Sequence, residues 1–316
     1  MKKISIVTAC YNEEENVEAL YQAVKKIFQD KLNDYAYEHI FIDNASQDKT
    51  VAILKRMAAG DKNVKIIVNS RNFGHIRSPF YGLLQASGDA VISLVADFQD
   101  PLEMIPKFVK KWEEGFKIVV GVKEKSDESS IFFSIRKVYY KVVTRLAEVD
   151  LIDNFTGFGL YDGSVIEILK KIPDAYPYFR GLICDIGFEK ATIEYHQPAR
   201  KRGITKNNFY TLFDMAMLGI TTHSKVPLRL ASMLGFGTAI LSMLVALGYF
   251  VYKILFWNSF QVGQAPLVIG LFFFSSVQLI FIGIIGEYVG NIYTQVLKRP
   301  LVIEKERINF SEKDQN

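Results

Sequence analysis

Two long uncharged stretches in the last third of the chain place the strongest limit on its fold. Residues 230–252 and residues 265–286 contain no Asp, Glu, Lys or Arg, which makes runs of 23 and 22 residues. At about 1.5 Å per residue, a helix of either length spans roughly 33 Å, enough to cross a hydrocarbon core of about 30 Å. Soluble core helices seldom stay uncharged on every face over about six turns. The pattern therefore predicts two transmembrane helices.

The charges around these stretches predict their orientation. The connection at 258–264 carries no Lys or Arg, whereas the outer flanks carry Lys225 and Arg229 before the first stretch and Lys298 and Arg299 after the second. By the positive-inside rule both flanks face the cytoplasm. We therefore expect a multi-pass protein of the inner (cytoplasmic) membrane, with its large N-terminal domain and its C-terminus in the cytosol.

Other bulk features agree with a cytosolic N-terminal domain. The two cysteines of the chain have no metal-ligand spacing, which fits a reducing compartment better than a disulfide framework. The first apolar run, residues 4–9, is too short for a signal peptide. The net charge of +4 provides no basic field for nucleic acid, so no nucleic-acid partner is expected.

The segment before the first uncharged stretch is basic and apolar. Between residues 196 and 229 there are six Lys and Arg residues and one acid, Asp214. Such a composition is typical of an amphipathic helix in the headgroup plane, although a helix that covers the soluble domain remains an alternative. The predicted division is a cytosolic domain at 1–205, a juxtamembrane segment at 206–228, two transmembrane helices within 229–290 and a cytosolic tail at 291–316.

The N-terminal part of the chain alternates between apolar strands and amphipathic helices. This alternation predicts a mostly parallel sheet with helices on both faces. Ligands of such sheets bind at the carboxyl ends of the strands. The strands are expected at 4–9, 39–42, 64–68 and 90–95, with helices at 16–28 and 51–59.

Polar side chains follow three of these strands. Glu13 follows the first, Asp43 and Ser46 the second, and Asp97 and Gln99 the fourth. Each cluster alone is explained by helix capping, by the helix dipole or by turn formation. Three clusters at one edge of a sheet favour a binding site.

These motifs resemble those of the family-2 inverting glycosyltransferases. The matching segments are SIVTACYNEE at 5–14, IDNASQDKT at 42–50 and ADFQDP at 96–101. Together with GEYVG at 286–290, they resemble more narrowly the dolichol- and bactoprenol-phosphate sugar transferases. The resemblance implies a GT-A fold with a C-terminal two-helix transmembrane hairpin. It also implies inverting transfer from a nucleoside diphosphate sugar, by family habit a UDP-sugar, to polyprenyl (undecaprenyl) phosphate in the bilayer, by a homo-oligomer.

The resemblance further implies residue roles. Asp97 and Gln99 would hold Mg²⁺ or Mn²⁺, and Arg136, Arg200 and Arg202 would meet the acceptor phosphate. The candidate catalytic residues are Asp97 and Arg200, together with Asp153, which is chosen only because it lies near the position of the family's base. The residues expected around the nucleotide sugar are Ala9, Tyr11, Glu13, Asp43, Ser46, Asp97, Gln99 and Lys206. Taken on its own, the basic run at 200–206 is more typical of a solvated or lipid-facing patch.

The sequence departs from the family pattern at two places. Val95 stands where relatives carry the first acid of the metal motif, and TGFG at 156–159 stands where many carry Gly-Asp-Phe-Arg with a general base. Asp153 and Asp185 lie nearby without a clear assignment. A phosphate acceptor tolerates this loss, because its second pKa is about 6 and it is largely a dianion at neutral pH.

Other classes of protein fit less well. A polysaccharide synthase would carry a Gln-x-x-Arg-Trp motif, and a dinucleotide-binding oxidoreductase a Gly-x-Gly-x-x-Gly turn after the first strand. Neither is present. A non-catalytic membrane protein would leave the acidic clusters unexplained. The alternative kept open is a membrane-bound transferase or synthase that acts on a hydroxyl of a glycan or glycolipid.

Overall fold

The protein is described here by a computed structural model, which defines residues 1–125, 152–198, 217–219, 221–222, 224–256 and 264–310. These residues form one eight-stranded sheet and eight helices. The strands are β1 (Lys3–Cys10), β2 (Ala36–Asp43), β3 (Val64–Asn69), β4 (Ala90–Val95), β5 (Ile118–Lys125), β6 (Phe155–Asp162), β7 (Lys190–His196) and β8 (Glu304–Ile308). The helices are α1 (Val17–Asp30), α2 (Thr50–Gly60), α3 (Gly74–Leu84), α4 (Met104–Glu113), α5 (Gly163–Lys170), α6 (Phe179–Asp185), α7 (Val226–Leu255) and α8 (Gln264–Val296).

The sheet is mixed and mostly parallel, as predicted. Its strand order is β7-β5-β6-β4-β1-β2-β3-β8. Strands β4, β1, β2 and β3 are parallel neighbours, β5 and β7 run in the same direction, and β6 and β8 are antiparallel. The carboxyl ends of six strands therefore meet at one edge, which we call the carboxyl edge. The opposite side is the amino edge.

Helices cover both faces of the sheet. Apolar side chains of α1, α2 and α4 pack on one face with Ile6 and Phe41, whereas α3, α5 and α6 pack on the other with Ile40 and Ile42. Since consecutive strand residues point to opposite faces, a strand buried on both sides reads as a continuous apolar run. At Gly82 of α3, a Cβ would approach Ile42 Cγ2 to 2.9 Å, so this helix lies unusually close to the sheet.

Helices α7 and α8 contain the two uncharged stretches and extend beyond them. Segments of 27 residues in each helix, Val226–Tyr252 and Gly270–Val296, have mean hydropathies of 2.0 and 1.7. Both segments are long and apolar enough to cross a membrane, and almost none of their residues is buried within the chain. Large apolar side chains such as Met233 and Phe272 face outward.

The chain returns to the sheet after α8. Strand β8 pairs antiparallel with β3, Ser70 N donates to the carbonyl of Ile303 at 2.9 Å, and Asn309 Nδ2 donates to the carbonyls of Ala58 and Val64. Part of the segment predicted as a separate tail thus completes the sheet of the N-terminal domain. The sequence EKERI gave no apolar run by which this strand could be recognised.

Candidate active site

The three strand ends predicted to converge lie side by side. Strand β1 runs between β2 and β4, and Ala9 is in register with Ile42 on one side and Val95 on the other. Cys10 is in register with Asp43. The loops that carry Glu13, Asp43 and Asp97 therefore leave three adjacent strands at the carboxyl edge.

Hydrogen bonds join the loop after β1 to the loop after β2. Asn12 N donates to Ser46 Oγ at 2.9 Å, and Gln47 N donates to Asn12 Oδ1 at 2.8 Å. Glu13 N donates to Thr50 Oγ1 at 2.9 Å. The two loops consequently form one hydrogen-bonded unit, in which Asn12 has a left-handed backbone with φ of 56°.

Asp43 is the innermost acid of this unit. Its side chain is fully buried, and it accepts hydrogen bonds from the backbone N of Ser46 at 3.0 Å and from the Ser46 hydroxyl. Burial raises the pKa of Asp43, against the opposing effect of the bonds from Ser46. By contrast, Asp48 lies just before α2 and accepts from the backbone N of Thr50, the first residue of that helix, at 2.9 Å.

The turn after β4 holds Asp97 and Gln99. Asp97 is 8% exposed, and its Oδ1 accepts a bond from Gln99 N at 3.2 Å. Phe98 between them has a left-handed φ of 61°. Both predicted metal ligands therefore belong to one tight turn.

Asp100 supports this turn and was not predicted as a functional residue. Its Oδ2 accepts from Val95 N at 3.1 Å, which folds the turn back on β4. Burial, to which the charge of Asp97 adds, raises the pKa of Asp100 to about 7. The segment ADFQDP contained this acid, but the sequence offered no sign that it would be buried.

Val95 leaves the site with fewer carboxylates than the family pattern. Its side chain is 43% exposed at the end of β4, beside Ala9. In the described part of the chain, no group of three or more His, Cys, Asp or Glu residues is arranged to hold a metal ion. Asp97 and Gln99 nevertheless fit Mg²⁺ or Mn²⁺, because such ions take oxygen ligands and bind through one or two carboxylates plus substrate phosphates.

Strand β6 begins at the same edge. The exposed Asp153 and Asn154, with φ of 56°, precede it, and Arg180 Nη1 donates to the carbonyl of Phe155 at 3.3 Å. Gly157 has φ of 100°, which favours glycine. Asp153 thus lies at the carboxyl edge, whereas the exposed Asp185 ends α6 away from it.

Four predicted site residues lie outside the described part of the chain: Arg136, Arg200, Arg202 and Lys206. Tyr11 is half-buried in the turn after β1. A groove of about 1170 Å³ opens elsewhere, at the amino edge, where Lys2, Gly88 and Asp162 line it. This groove is remote from the acidic loops, so we do not assign the predicted reaction to it.

A mixed sheet with helices on both faces and acidic loops at its carboxyl edge defines the GT-A class of nucleotide-sugar transferases. The glycosyl transferase family 2 profile matches residues 5–181. The SfII prophage-derived bactoprenol glucosyl transferase of Shigella flexneri is 35% identical over 306 residues, 96% of this chain and 97% of that protein. The uncharacterized glycosyltransferase YkcC of Bacillus subtilis is 34% identical over 314 residues, 98% and 95% of the two chains.

A solved structure shares the fold. Glucosyl-3-phosphoglycerate synthase from Mycobacterium tuberculosis, in complex with Mn²⁺, UDP and phosphoglyceric acid, superposes with a TM-score of 0.50 at 19% identity, covering 70% of this chain and 77% of that one. The chain belongs to glycosyltransferase family 2. It is a glycosyltransferase, as the sequence motifs predicted.

Proposed function

We propose that this enzyme transfers a sugar from a nucleoside diphosphate sugar, a UDP-sugar, to polyprenyl (undecaprenyl) phosphate at the cytosolic membrane surface. One observation supports the proposal above others: acidic loops of a family-2 domain meet at one sheet edge, and the same sheet is completed by a strand that follows two apolar helices. The similarity to a bactoprenol glucosyl transferase over 96% of the chain supports the same acceptor.

The acidic loops bind different parts of the donor. Glu13 and Asp43 hold the base and ribose, with Ala9, Tyr11 and Ser46 around them. Asp97 and Gln99 would hold Mg²⁺ or Mn²⁺. The metal, when bound, offsets the negative charge that gathers on the leaving nucleoside diphosphate. Asp100 keeps the metal turn closed through its bond to Val95 N.

In the transfer, an oxygen of the acceptor phosphate attacks the anomeric carbon of the sugar. The new carbon–oxygen bond forms as the bond to the diphosphate breaks, and the electron pair leaves with the nucleoside diphosphate. Attack from the face opposite the leaving group inverts the anomeric centre. The protein contributes mainly the position of the two reactants and the electrostatic stabilisation of the leaving group.

A phosphate acceptor removes the need for a general base. Its second pKa of about 6 leaves it mostly dianionic at neutral pH. Asp153, exposed at the carboxyl edge, is the acid nearest in sequence to the missing base of the relatives. A hydroxyl acceptor, the alternative function, would require such a base to accept a proton.

The membrane arrangement follows from the two apolar helices. We propose that α7 and α8 span the cytoplasmic membrane as a hairpin, with both outer flanks and the GT-A domain in the cytosol. The return of the chain to the sheet through β8 supports placing both flanks on one side. The juxtamembrane segment 206–228 would lie at the headgroups, and a homo-oligomer is expected from the family resemblance.

A panel of radiolabelled nucleotide sugars tests the proposal. Each is offered with undecaprenyl phosphate or with undecaprenol, with and without a chelator. We expect a lipid-soluble product from the phosphate alone, from one UDP-sugar, and only when metal is present. Transfer to undecaprenol, or to a glycan but to neither lipid, would favour the hydroxyl-acceptor alternative.

A further inference from the structure

A group of basic side chains lies at the carboxyl edge beside the acidic loops. His75 and Arg77 occupy the first turn of α3, and Arg180 lies in α6. The two helices pack against each other through Phe80 and Phe179, whose ring centroids are 6.1 Å apart in an edge-on arrangement. We call His75, Arg77 and Arg180 the basic cluster.

The basic cluster is tied to the donor loops. Asn44, which follows Asp43, donates from Nδ2 to the carbonyl of Gly74 at 3.1 Å, and its Oδ1 accepts from Phe73 N at 2.8 Å. The start of α3 is therefore held against the loop that carries Asp43. A ligand bound by the cluster would lie next to the donor.

The positively charged side chain of Arg77 has no acidic partner within the described ranges of the chain. Its guanidinium lies over the ring of Tyr176, 5.2 Å from the centroid. Its Nε is buried and has no hydrogen-bond partner, and no carboxylate pairs with the side chain among the residues that the structure defines. A buried donor left without an acceptor is costly, and a bound anion is one arrangement that would satisfy it.

Arg180 contacts the same short loop as Arg77. Its guanidinium is 5.6 Å from the centroid of the Tyr178 ring, two residues from the Tyr176 ring that Arg77 covers. Partial desolvation lowers the pKa of the solvent-exposed His75, and the positive charge of Arg180 lowers it further. Two guanidinium groups thus flank one short loop, residues 174–178.

This loop is fastened to the apolar helix α8. Gln295 Nε2 donates to Asp174 Oδ1 at 2.6 Å, and Ala175 N donates to Gln295 Oε1 at 3.1 Å. Tyr176 lines a groove of about 400 Å³ whose other walls include Leu218 and the glycines Gly286 and Gly290 of α8. The groove runs from the side of Tyr176 along the helix that we place in the membrane.

We propose that Arg77 and Arg180 bind the phosphate monoester of the lipid acceptor, whose chain leaves past Tyr176 along α8. The proposal rests on the proposed function. Guanidinium groups bind phosphate oxygens in pairs of parallel hydrogen bonds, and here they do so beside the donor loops and beside a membrane helix. None of the phosphate-binding residues predicted from the sequence belongs to this cluster.

Steady-state kinetics of Arg77→Gln, in the full-length detergent-solubilised enzyme, tests the assignment. We expect the KM for undecaprenyl phosphate to rise roughly 10- to 100-fold, with the KM for the UDP-sugar and its slow hydrolysis without acceptor unchanged. Arg77→Lys keeps the charge without the fork and should raise the KM less. Arg56→Gln, which removes an exposed cation of α2, is the matched control and should behave as wild type.

Farnesyl phosphate, a short acceptor in detergent, separates the possible sources of the effect. We expect Arg77→Gln to weaken the use of this acceptor as well. A defect of Arg77→Gln that appears only in vesicles containing anionic lipid would show a general contact with the membrane surface and would overturn the proposal. An equal rise in the KM for the UDP-sugar would also overturn it, because it would assign the cluster to the donor diphosphate. An unchanged acceptor KM in the active variant would overturn this proposal alone, whereas a wild-type enzyme that uses neither phosphate would overturn the proposed function too.

Discussion

The two edges of the sheet use charge in opposite ways. At the amino edge the buried Glu38 accepts hydrogen bonds from Lys3 Nζ and Ser5 Oγ at 2.6 Å, and Lys65 Nζ lies 2.8 Å from it. At the carboxyl edge the donors to the buried Asp43 are neutral groups of Ser46. One edge neutralises its acid with cations of the chain. The hydrogen bonds to the acid at the other edge come from neutral groups, which leaves its charge without a cation from the described part of the chain.

Backbone strain shows the same difference. Four residues other than glycine hold left-handed backbones at the carboxyl edge, among them Ala45 with φ of 64° and Phe98 with φ of 61°. At the amino edge, the left-handed positions of the described chain are Gly115, Gly187 and Asn309. Such strain persists only where surrounding contacts hold it in place, and it is frequent at binding sites. The comparison agrees with our proposal that the amino edge stabilises the fold and that the carboxyl edge binds the donor.

The largest expected effect comes from Asp97→Asn. Removing the carboxylate that we assign to the metal should lower kcat by roughly 10²-fold or more, while the unfolding temperature stays unchanged. The matched control is Asp89→Asn at the opposite end of β4, where Asp89 Oδ2 accepts from Lys3 N. This variant should keep its activity. Equal losses in the two variants, measured as sugar transfer per folded enzyme, would remove the distinction between the edges.

Glu38→Gln should have the converse effect. Lys3 and Lys65 would lose their shared anion, and we expect the free energy of unfolding to fall by about 2–4 kcal/mol, with kcat near wild type at low temperature. Urea unfolding followed by tryptophan fluorescence measures the loss. Glu18→Gln, which breaks an exposed pair with Arg56, is the control and should cost less than about 1 kcal/mol. A stable but inactive Glu38→Gln enzyme would contradict the assignment of this edge to stability.

Acid should destabilise the domain through groups in the amino-terminal half of β2. Burial lowers the pKa of His39 to about 3, so between about pH 6.5 and 3 the unfolded chain binds a proton that the folded chain does not. Stability therefore falls as the pH falls, by at most about 1.4 kcal/mol per pH unit from this residue.

The pKa of Glu38 is lowered to about 2: burial acts to raise it, but the bonds from Lys3 and Lys65 outweigh that effect. Its contribution is complete above about pH 4.5 and is lost as the pH falls towards 2. Between pH 7 and 5 the raised pKa of Asp100 contributes a slope of the opposite sign, so the contribution of His39 is read as the difference between the wild type and His39→Gln. At pH 7, 6 and 5, His39→Gln should lose less stability than the wild type as the pH falls. A slope unchanged in the variant would contradict the assignment.

The smallest expected effect concerns strain. Ala45→Gly removes a Cβ from a left-handed residue and should change the free energy of unfolding by no more than about 1 kcal/mol, in the stabilising direction. In helix α2 the same replacement at the exposed Ala52 should destabilise by about 0.5–1 kcal/mol. Opposite signs in thermal unfolding support strain at the carboxyl edge. The same sign in both would argue against it.

The elements that could be predicted were those with strong local patterns. Strands β1 to β4 are apolar runs, α1 and α2 have helical spacing, and the apolar stretches of α7 and α8 lack charge altogether. Strands β6 and β8 were missed because their partners lie far along the chain: FTGFGLYD contains two glycines, and EKERI is mostly charged. Their pairing depends on tertiary contacts, which a local pattern does not contain.

The same limit applied to the site. We could predict that Glu13, Asp43 and Asp97 lie together because each follows a strand of a mostly parallel sheet, and the carboxyl ends of such strands meet at one edge. Asp100 and Arg77 were missed for different reasons. The burial of Asp100 depends on the fold of its turn, and Arg77 lies in α3, where Gly74 at the start and Pro79 inside obscured the helical pattern.

Anomalous X-ray diffraction from crystals grown with UDP and Mn²⁺ tests the central claim most directly. The account predicts one strong manganese peak at the carboxyl edge, about 2–2.6 Å from a carboxylate oxygen of Asp97, with the UDP diphosphate on its other side and the base beside Asp43. A manganese peak and nucleotide bound in the groove at the amino edge, with the loops after β1, β2 and β4 empty, would contradict it.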